Sequence, residues 1–400
     1  MKYNFDEIIE RRGTNSMNTD GFREYIFHAD NTMKFPYKDE EFVRMWIADM
    51  EFATPDVIIN AIKERLDKRI FGYTKIFDPE YYKAFAKWTQ KRYDWHCEKK
   101  DLVTSPGIIP ALYELVSYIT KEDENVLIMT PSYAFFKHAV DYHHRKLVCS
   151  DLINEDGYYK IDFDDLEKKA KDPKTTLLIF CNPHNPTGRI WTEEELKQVG
   201  EICKRNNVWI ISDEIHCDLI RTDMKHIPLA KVVTDYDKVI TCMSPSKTFN
   251  MAGLMLANVI IPNKELFAKW KDRHYDFENP LSVTAVQAAY AYGEGWLDEM
   301  KLYLDSNFEF LKQYLAKHLS LAKFRIPEAT YLAWVDISAY IDTDQNIPLF
   351  FANNAGVLLE GGNMFVQNSN GFIRLNLACP RSILQIGLDR ITAALKKENE

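Results

Sequence analysis

The sequence predicts an α/β protein: a large domain built on a mostly parallel sheet covered by helices, with a smaller α+β domain beside it. Three observations carry this. Seven short apolar runs rich in Val and Ile recur between residues 102 and 261, separated by amphipathic stretches. Continuous apolar strands alternating with helices are strands buried on both faces of a parallel sheet. The chain's 400 residues exceed one ordinary core, so two domains in one compact chain are expected. Beyond Pro280 the strands lie farther apart and long helical tracts take over, which suits a smaller α+β unit. We therefore expect an N-terminal arm with part of the small domain over 1–45, the large domain over 46–282 and the small domain over 283–400. No repeat, low-complexity linker or glycine-rich tether separates them, so the domains should pack rigidly.

Residues 1 to about 38 mix charge and aromatics without periodicity and read as an irregular lead-in. Met45–Phe52 reads as an extended turn before a helix. Thr54 supplies its N-cap and Pro55 its first turn, and Val57, Ile58, Ala61, Ile62 and Leu66 follow at helical spacing. Phe71-Gly72-Tyr73-Thr74 ends that helix, and a second amphipathic run spans Tyr81 to Tyr93. Leu102–Leu112 passes from strand through Pro106-Gly107 into a helix whose free N–H groups and dipole suit a phosphate. Strands then follow at Val126–Met129, Lys146–Cys149, Thr175–Phe180, Val208–Ser212, Lys238–Cys242 and Ala257–Ile261. Thr192 to Glu195 forms a capping box opening a helix to about Asn206. The remaining elements are a long helical tract from Val283 to about Leu319, strands at Tyr331–Asp336 and Phe372–Asn376, and a terminal helix.

Composition excludes several function classes. Hydrophobic residues make up 46% and charged residues 27%, ordinary for a soluble globular protein. A net charge of −9 without a basic tract argues against nucleic acid as a partner. No apolar run approaches the ~20 residues of a membrane span, and the first residues lack the apolar segment of a signal peptide. Seven scattered cysteines with no Cys-x-x-Cys pair point to free thiols in a reducing cytoplasm, not to disulfides or a metal site. Aromatics reach 13%, enough for a large core or a sizeable subunit interface.

The stretch that gathers chemistry is Met243-Ser244-Pro245-Ser246-Lys247-Thr248-Phe249-Asn250-Met251-Ala252-Gly253-Leu254, just past a buried strand. A lysine among hydroxyls with little other charge suits an amine whose pKa must fall before it attacks a carbonyl. Asn182-Pro183-His184-Asn185-Pro186-Thr187-Gly188 follows the strand at 175–180, at the carboxyl end where ligands gather in open α/β sheets. Ser212-Asp213-Glu214-Ile215-His216 ends the next strand, and Arg374 interrupts an apolar strand where an unpaired charge is costly.

Together these segments resemble the aspartate-aminotransferase superfamily, the fold-type-I enzymes dependent on pyridoxal 5'-phosphate (PLP). The likeness runs from Trp46 to Arg381. The runs Trp46–Phe52, Gly72-Tyr73-Thr74, Gly107–Leu112, Ser212–His216 and Arg374–Arg381 are most similar to the MalY/PatB-type cystathionine β-lyases. That resemblance implies a PLP-dependent transferase-like fold with a seven-stranded sheet, and it assigns roles. Lys247 would bond the cofactor. Asp213 would hold its ring nitrogen protonated, as a carboxylate beside a pyridinium does, with Glu214 a structural neighbour. Asn185 would meet the phenolic oxygen and, with Ala48 and Arg374, the substrate. Tyr133, in Pro131-Ser132-Tyr133, would stack on the ring. Gly107, Ile108, Ile109, Ser244 and Ser246 would hold the phosphate. Arg374 offers the bidentate fork a substrate carboxylate needs; the competing reading is a buried salt bridge.

Tyr73 matches a tyrosine that the family sends to the partner's phosphate, implying a homodimer with shared sites. His216 stands where many aminotransferases have tyrosine, and is either a cofactor contact or a satisfied histidine nearby. Met255 stands eight residues past the lysine, where many relatives carry an arginine for the phosphate. Arg381 reads as structural; Lys75, Lys99, Lys100 and Arg145 read as solvated charge. The implied activity is α,β-elimination from cystathionine or another cysteine S-conjugate in the cytoplasm, giving a thiol, pyruvate and ammonia. A class I/II aminotransferase and a non-catalytic regulatory protein on the same scaffold stay open. A dicarboxylate-specific transaminase would want a second arginine near the entrance, and the sequence offers no clear one.

Overall fold

The computed structural model describes residues 2–398. Its centre is a seven-stranded sheet made of β1 (Leu102–Ser105), β2 (Asn125–Thr130), β3 (Lys146–Asp151), β4 (Thr175–Cys181), β5 (Trp209–Asp213), β6 (Val239–Met243) and β7 (Ala257–Ile260), in the order β1-β7-β6-β5-β4-β2-β3. The five strands from β6 to β3 run parallel, and β7 alone is antiparallel to both neighbours. Alternate residues point to opposite faces of a strand, and both faces are covered. Ile128, Ile179 and Ile211 pack with Leu112, Leu115 and Ala139 on one side. Leu127, Leu178 and Ile210 pack with Leu166, Leu196 and Val199 on the other. This burial of both faces is why the strands read as unbroken apolar runs in the sequence.

A three-stranded antiparallel sheet lies C-terminal to it in sequence: β8 (Leu332–Asp336), β9 (Glu360–Gly361) and β10 (Phe372–Asn376), with β10 in the middle. Val43 and Arg44 pair in parallel with Val357 and Leu358, so the N-terminal segment joins this later part of the chain. Helix α1 (Asp56–Leu66) starts one residue later than its sequence suggests. Pro55 occupies the N-cap position without a side-chain cap, and the Thr54 hydroxyl donates instead to the Asn250 carbonyl at 2.9 Å. Helix α2 (Ile108–Ile119) leaves the end of β1, and α3 (Glu193–Arg205) has the expected Thr192–Glu195 capping box.

Three features depart from the sequence reading. The lead-in holds two short helices, Met17–Asp20 and Phe22–Phe27, which bury Phe22 and Ile26 against Phe42 and Trp46. The long helical tract is two helices, α4 (Pro280–Tyr292) and α5 (Glu294–His318), meeting at Gly293. A Cβ there would lie 2.6 Å from both the Ala289 carbonyl oxygen and the Phe249 ring, so the junction is a close approach only glycine permits. Arg145 is not free surface charge: its guanidinium donates to the Thr120 hydroxyl and carbonyl at 2.7 and 2.8 Å. The seven cysteines are free thiols, buried except for half-buried Cys149. Among the described residues no helix is long and apolar enough to cross a membrane.

Gly188 closes the Asn182–Gly188 loop with φ +68, and a Cβ would sit 2.3 Å from the Pro327 Cβ and 2.8 Å from the Ala329 oxygen. The left-handed conformation alone costs an L-residue roughly 1–2 kcal/mol, and forced overpacking adds a comparable amount. Gly188→Ala should therefore lower unfolding free energy by about 2 kcal/mol or more. Urea unfolding, with a shifted midpoint and unchanged slope, checks this.

Candidate active site

A cavity of about 290 Å³ opens at the carboxyl ends of β4, β5 and β6, next to the start of α2. Its walls include Lys247, Asp213, Arg374, Asn185, His216, Tyr133, Ala48 and Ser246, with Gly107, Ile108 and Ile109 at the helix start. Parallel strands end together, so residues 185, 213 and 247, each just past a different strand, converge although far apart in sequence.

Lys247 follows β6 through the turn at Ser244–Ser246. Its Nζ donates to the Ala48 carbonyl at 2.5 Å. Burial lowers its pKa and the positive charge of Arg374 lowers it further, while Asp49, Glu360 and Asp213 pull the other way. Asp213 ends β5, buried, with one oxygen accepting the Ile215 N–H at 3.1 Å. Burial pushes its carboxyl up to about 7, with Glu214 adding to the rise; the Ile215 hydrogen bond and Lys247 oppose it. Glu214 points away into a structural network, where it meets His226 Nε2 at 2.8 Å and accepts from Ser212 and the Leu229 N–H. His216 is buried and Nδ1 finds no hydrogen-bond partner among the described residues. Burial, then Lys247 and Arg374, lowers its pKa to about 3, so it is a neutral imidazole.

Arg374 sits on the central strand β10, 2% exposed. It donates to the Trp46 carbonyl and to Asn185 Oδ1, both at 3.2 Å, and lies 2.5 Å from the Glu360 carboxylate. Both sequence readings of Arg374 thus meet at one residue, a salt-bridged arginine that also faces the cavity. The contact turns the Asn185 amide oxygen toward Arg374 and leaves its NH2 for another partner. Tyr133 stacks on Phe135 with centroids 5.2 Å apart, and burial raises its phenol pKa well above the ordinary value. Gly107 and Ile108 present the N-terminal end of α2, where backbone N–H groups are free and the dipole is positive.

Two predicted residues lie elsewhere. The Ser244 hydroxyl is turned to the Leu256 carbonyl at 2.9 Å and accepts the Ser246 N–H at 3.2 Å, so it shapes the turn, and only Ser246 reaches the wall. Tyr73 is 93% exposed, stacked on Phe277 with centroids 5.0 Å apart and outside its own chain's cavity. Met255, in the position of the absent arginine, lines the cavity.

The sequence reading passed over Glu360 and Tyr25, both of which line the cavity, and Arg11 and Asp49 at a second opening that reaches Lys247. Glu360 carried a usable signal: it is a lone acid in the apolar run Val357–Glu360, the same pattern that marked Arg374. Arg11 is the arginine near the entrance, but its guanidinium is already bonded to Asp49, Ser16 and the Met50 carbonyl.

The whole arrangement is that of an α/β enzyme with a desolvated amine, a buried acid and a guanidinium around one cavity. Comparison with known proteins agrees. The family model for aminotransferase class I and II matches residues 41–391. The chain is 39% identical over 397 residues to cystathionine beta-lyase PatB of Bacillus subtilis (strain 168), covering 98% of this chain and 100% of that protein. The PLP-bound C–S lyase from Staphylococcus hominis is 54% identical over 98% of each chain, with a TM-score of 0.94. Cystalysin from Treponema denticola, whose crystal structure contains pyridoxal 5'-phosphate, is 33% identical over 99% of this chain and 100% of that chain, with a TM-score of 0.91. The chain belongs to the aminotransferase class I and II family.

The buried acid makes a pH-dependent prediction for the cofactor-free protein. Folded Asp213 keeps its proton up to about 7, whereas the unfolded chain releases it near 3.8. Between those values the folded state binds more protons, so this group's contribution to stability falls as pH rises. Asparagine has no proton to lose. The stability of Asp213→Asn relative to the unaltered protein should therefore climb from about pH 4 to about pH 7 and level off above, as read by urea unfolding across that range.

Proposed function

We propose that the protein is a PLP-dependent C–S β-lyase, acting on cystathionine or related cysteine S-conjugates to give a thiol, pyruvate and ammonia. The observation that carries this reading is the convergence of Lys247, Asp213 and Arg374 on one cavity, in a chain similar throughout its length to proteins named as such lyases.

The residues present fit the cofactor. Asp213 is a buried acid with a backbone N–H on one oxygen and, among the described residues, no cation bonded to it, which suits a protonated ring nitrogen. His216 leaves a buried nitrogen unpartnered. The start of α2, with Gly107, Ile108 and Ile109, and the nearby Ser246 supply phosphate donors. Tyr133 offers an aromatic face, and the NH2 of Asn185 suits the phenolic oxygen. When bound and protonated, PLP supplies an electron sink for the charge left when the substrate loses its α-proton.

The chain's own residues do the rest. Arg374 binds the substrate carboxylate, oriented by Trp46 and Asn185. Lys247, with its pKa lowered chiefly by burial, takes the α-proton as an amine. Asp213 keeps a proton on the ring nitrogen. The C–S bond at Cβ then breaks, and the sulfur leaves with its electron pair and takes up a proton to become the thiol. The three-carbon remainder, hydrolysed by one water that supplies the keto oxygen, departs as pyruvate and ammonia.

We further propose a cytoplasmic homodimer in which Tyr73 completes the partner's phosphate site. Exposed apolar side chains support this: Tyr73, Phe277 and Tyr275 form a chain of ring contacts with Tyr275 82% exposed, and Ile70 and Phe77, on either side of Tyr73 in the sequence, are 74 and 83% exposed. Monomeric proteins rarely leave such a patch uncovered.

Incubation with cystathionine should release pyruvate and a thiol. Formation of a new amino acid from an amino acid plus a keto acid, without pyruvate, would make it a transaminase, and silence in both assays would make it non-catalytic. Lys247→Ala should lose the visible absorbance of the bound cofactor and at least about 10²–10⁴ of the rate, the range for a positioned base. If sites are shared, mixing Tyr73→Ala with Lys247→Ala chains should restore activity, because one site of the hybrid dimer keeps both residues. No recovery in the hybrid would refute the shared site.

A further inference from the structure

Glu360 and Arg374 stand directly opposite one another on the antiparallel strands β9 and β10. Opposed residues leave a sheet on the same face, so their contact is set by strand register. Both side chains are nearly fully buried, at 5 and 2% exposure, and one Glu360 oxygen lies 2.5 Å from Arg374 Nη2. The guanidinium assigned above to the substrate carboxylate thus already holds a carboxylate of the protein.

The groups around Glu360 are few. Arg374 comes from β10, Lys247 from the loop after β6, Tyr25 from the short helix Phe22–Phe27, and Tyr133 from the segment after β2. Asp213 is a further carboxylate on the cavity wall. Helix Ile347–Asn354, which also packs on this strand, has no ionisable side chain. The cations facing Glu360 are therefore Arg374 and Lys247. A second carboxylate on the same guanidinium puts two like charges in a buried space, and in such pairs one partner protonates.

We propose that Glu360 is a positioning residue that yields Arg374 to the substrate by taking up a proton, being ionised in the free enzyme and a neutral acid when the substrate carboxylate is bound. The proton comes from solvent, one for each carboxylate seated. As a neutral acid Glu360 keeps a hydrogen bond to offer and ceases to repel the ligand. Both faces of Arg374 are then taken, by Glu360 and one ligand carboxylate, so the device favours substrates with a single carboxylate near Arg374. Burial, which already raises the Glu360 pKa against the pull of Arg374 and Lys247, works in the same direction. The inference rests on the reading that Arg374 receives the substrate carboxylate.

The test uses the cofactor-loaded enzyme and 3-(methylthio)propanoate, a carboxylate with no amino group to react. Calorimetry at neutral pH in two buffers of different ionisation heat counts the protons taken up on binding. The expected result is close to one proton per ligand, with Kd rising about tenfold per pH unit above neutrality, the slope of one linked proton. Glu360→Gln should bind the ligand with no proton uptake and a flat pH profile. Binding without proton uptake in the unaltered enzyme overturns the proposal whether or not the variant folds. So does full uptake in Glu360→Gln, which would place the proton elsewhere. Arg374→Ala separates the two levels. Binding that survives it refutes the Arg374 reading and this inference together, whereas binding that needs Arg374 but takes up no proton refutes this inference alone.

Discussion

The active site depends on one short stretch of backbone, Trp46 to Phe52. Its Trp46 carbonyl accepts from Arg374 and its Ala48 carbonyl accepts from Lys247, so the two cations are fixed by neighbouring peptide groups. The stretch is itself clamped from both sides. Asn376, on β10, donates to the Ile47 and Asp49 carbonyls. Asn250, three residues past the lysine, donates to the Met50 and Phe52 carbonyls and accepts the Met50 N–H at 3.0 Å. Each such hydrogen bond contributes about 1 kcal/mol, more where the donor is charged, so the stretch is held in one conformation by several independent contacts. It also joins the seven-stranded sheet to the three-stranded one at the point where chemistry occurs.

Within that frame, burial moves the ionisable groups of the cavity toward neutrality. The carboxyls of Asp213 and Glu360 are pushed up, the amine of Lys247 down and His216 to about 3. Two acids and two cations face one another across the cavity, so each charged form is restrained by desolvation and rescued by its neighbours. Asp213, pushed up to about 7, is thereby placed to exchange a proton near neutral pH, and the lowered pKa of Lys247 makes its amine easier to free as a base. The buried Glu214–His226 pair and Asp218, which accepts from Trp88, Tyr93 and Thr248, are different. They lie behind the loops that carry Asp213 and Lys247 and fix where those loops can go.

Much of this was legible in the sequence, for identifiable reasons. The five inner strands of the large sheet are buried on both faces and left unbroken apolar runs, whereas the edge strands β1 and β3 are only partly buried. Lys247, Asp213, Asn185 and Arg374 are polar residues at the ends or in the middle of such runs, where a side chain without a partner would be costly. Glu360 met the same criterion, but its strand is two residues long and its partner is fourteen residues away on another strand. The break at Gly293 was hidden because Phe249, which makes it necessary, comes from the lysine loop. Ser244 and Arg145 show the same limit. Their residue types were plain, but the carbonyls they bind belong to Leu256 and Thr120, and no local pattern announces those contacts.

The burial of the cysteines has a consequence for an enzyme that sets thiols free. A released thiolate is a nucleophile toward disulfides, and a protein thiolate is a nucleophile toward any disulfide the product forms. Cys181 lines the cavity, yet burial and the nearby Asp213 charge hold it as a neutral thiol whose hydrogen points to the Pro183 carbonyl. Cys217 and Cys242, which both fall between Asp213 and Lys247 in the sequence, are likewise buried, and burial raises their thiol pKa values. The thiols nearest the reaction site are therefore poor nucleophiles toward any disulfide of the released thiol.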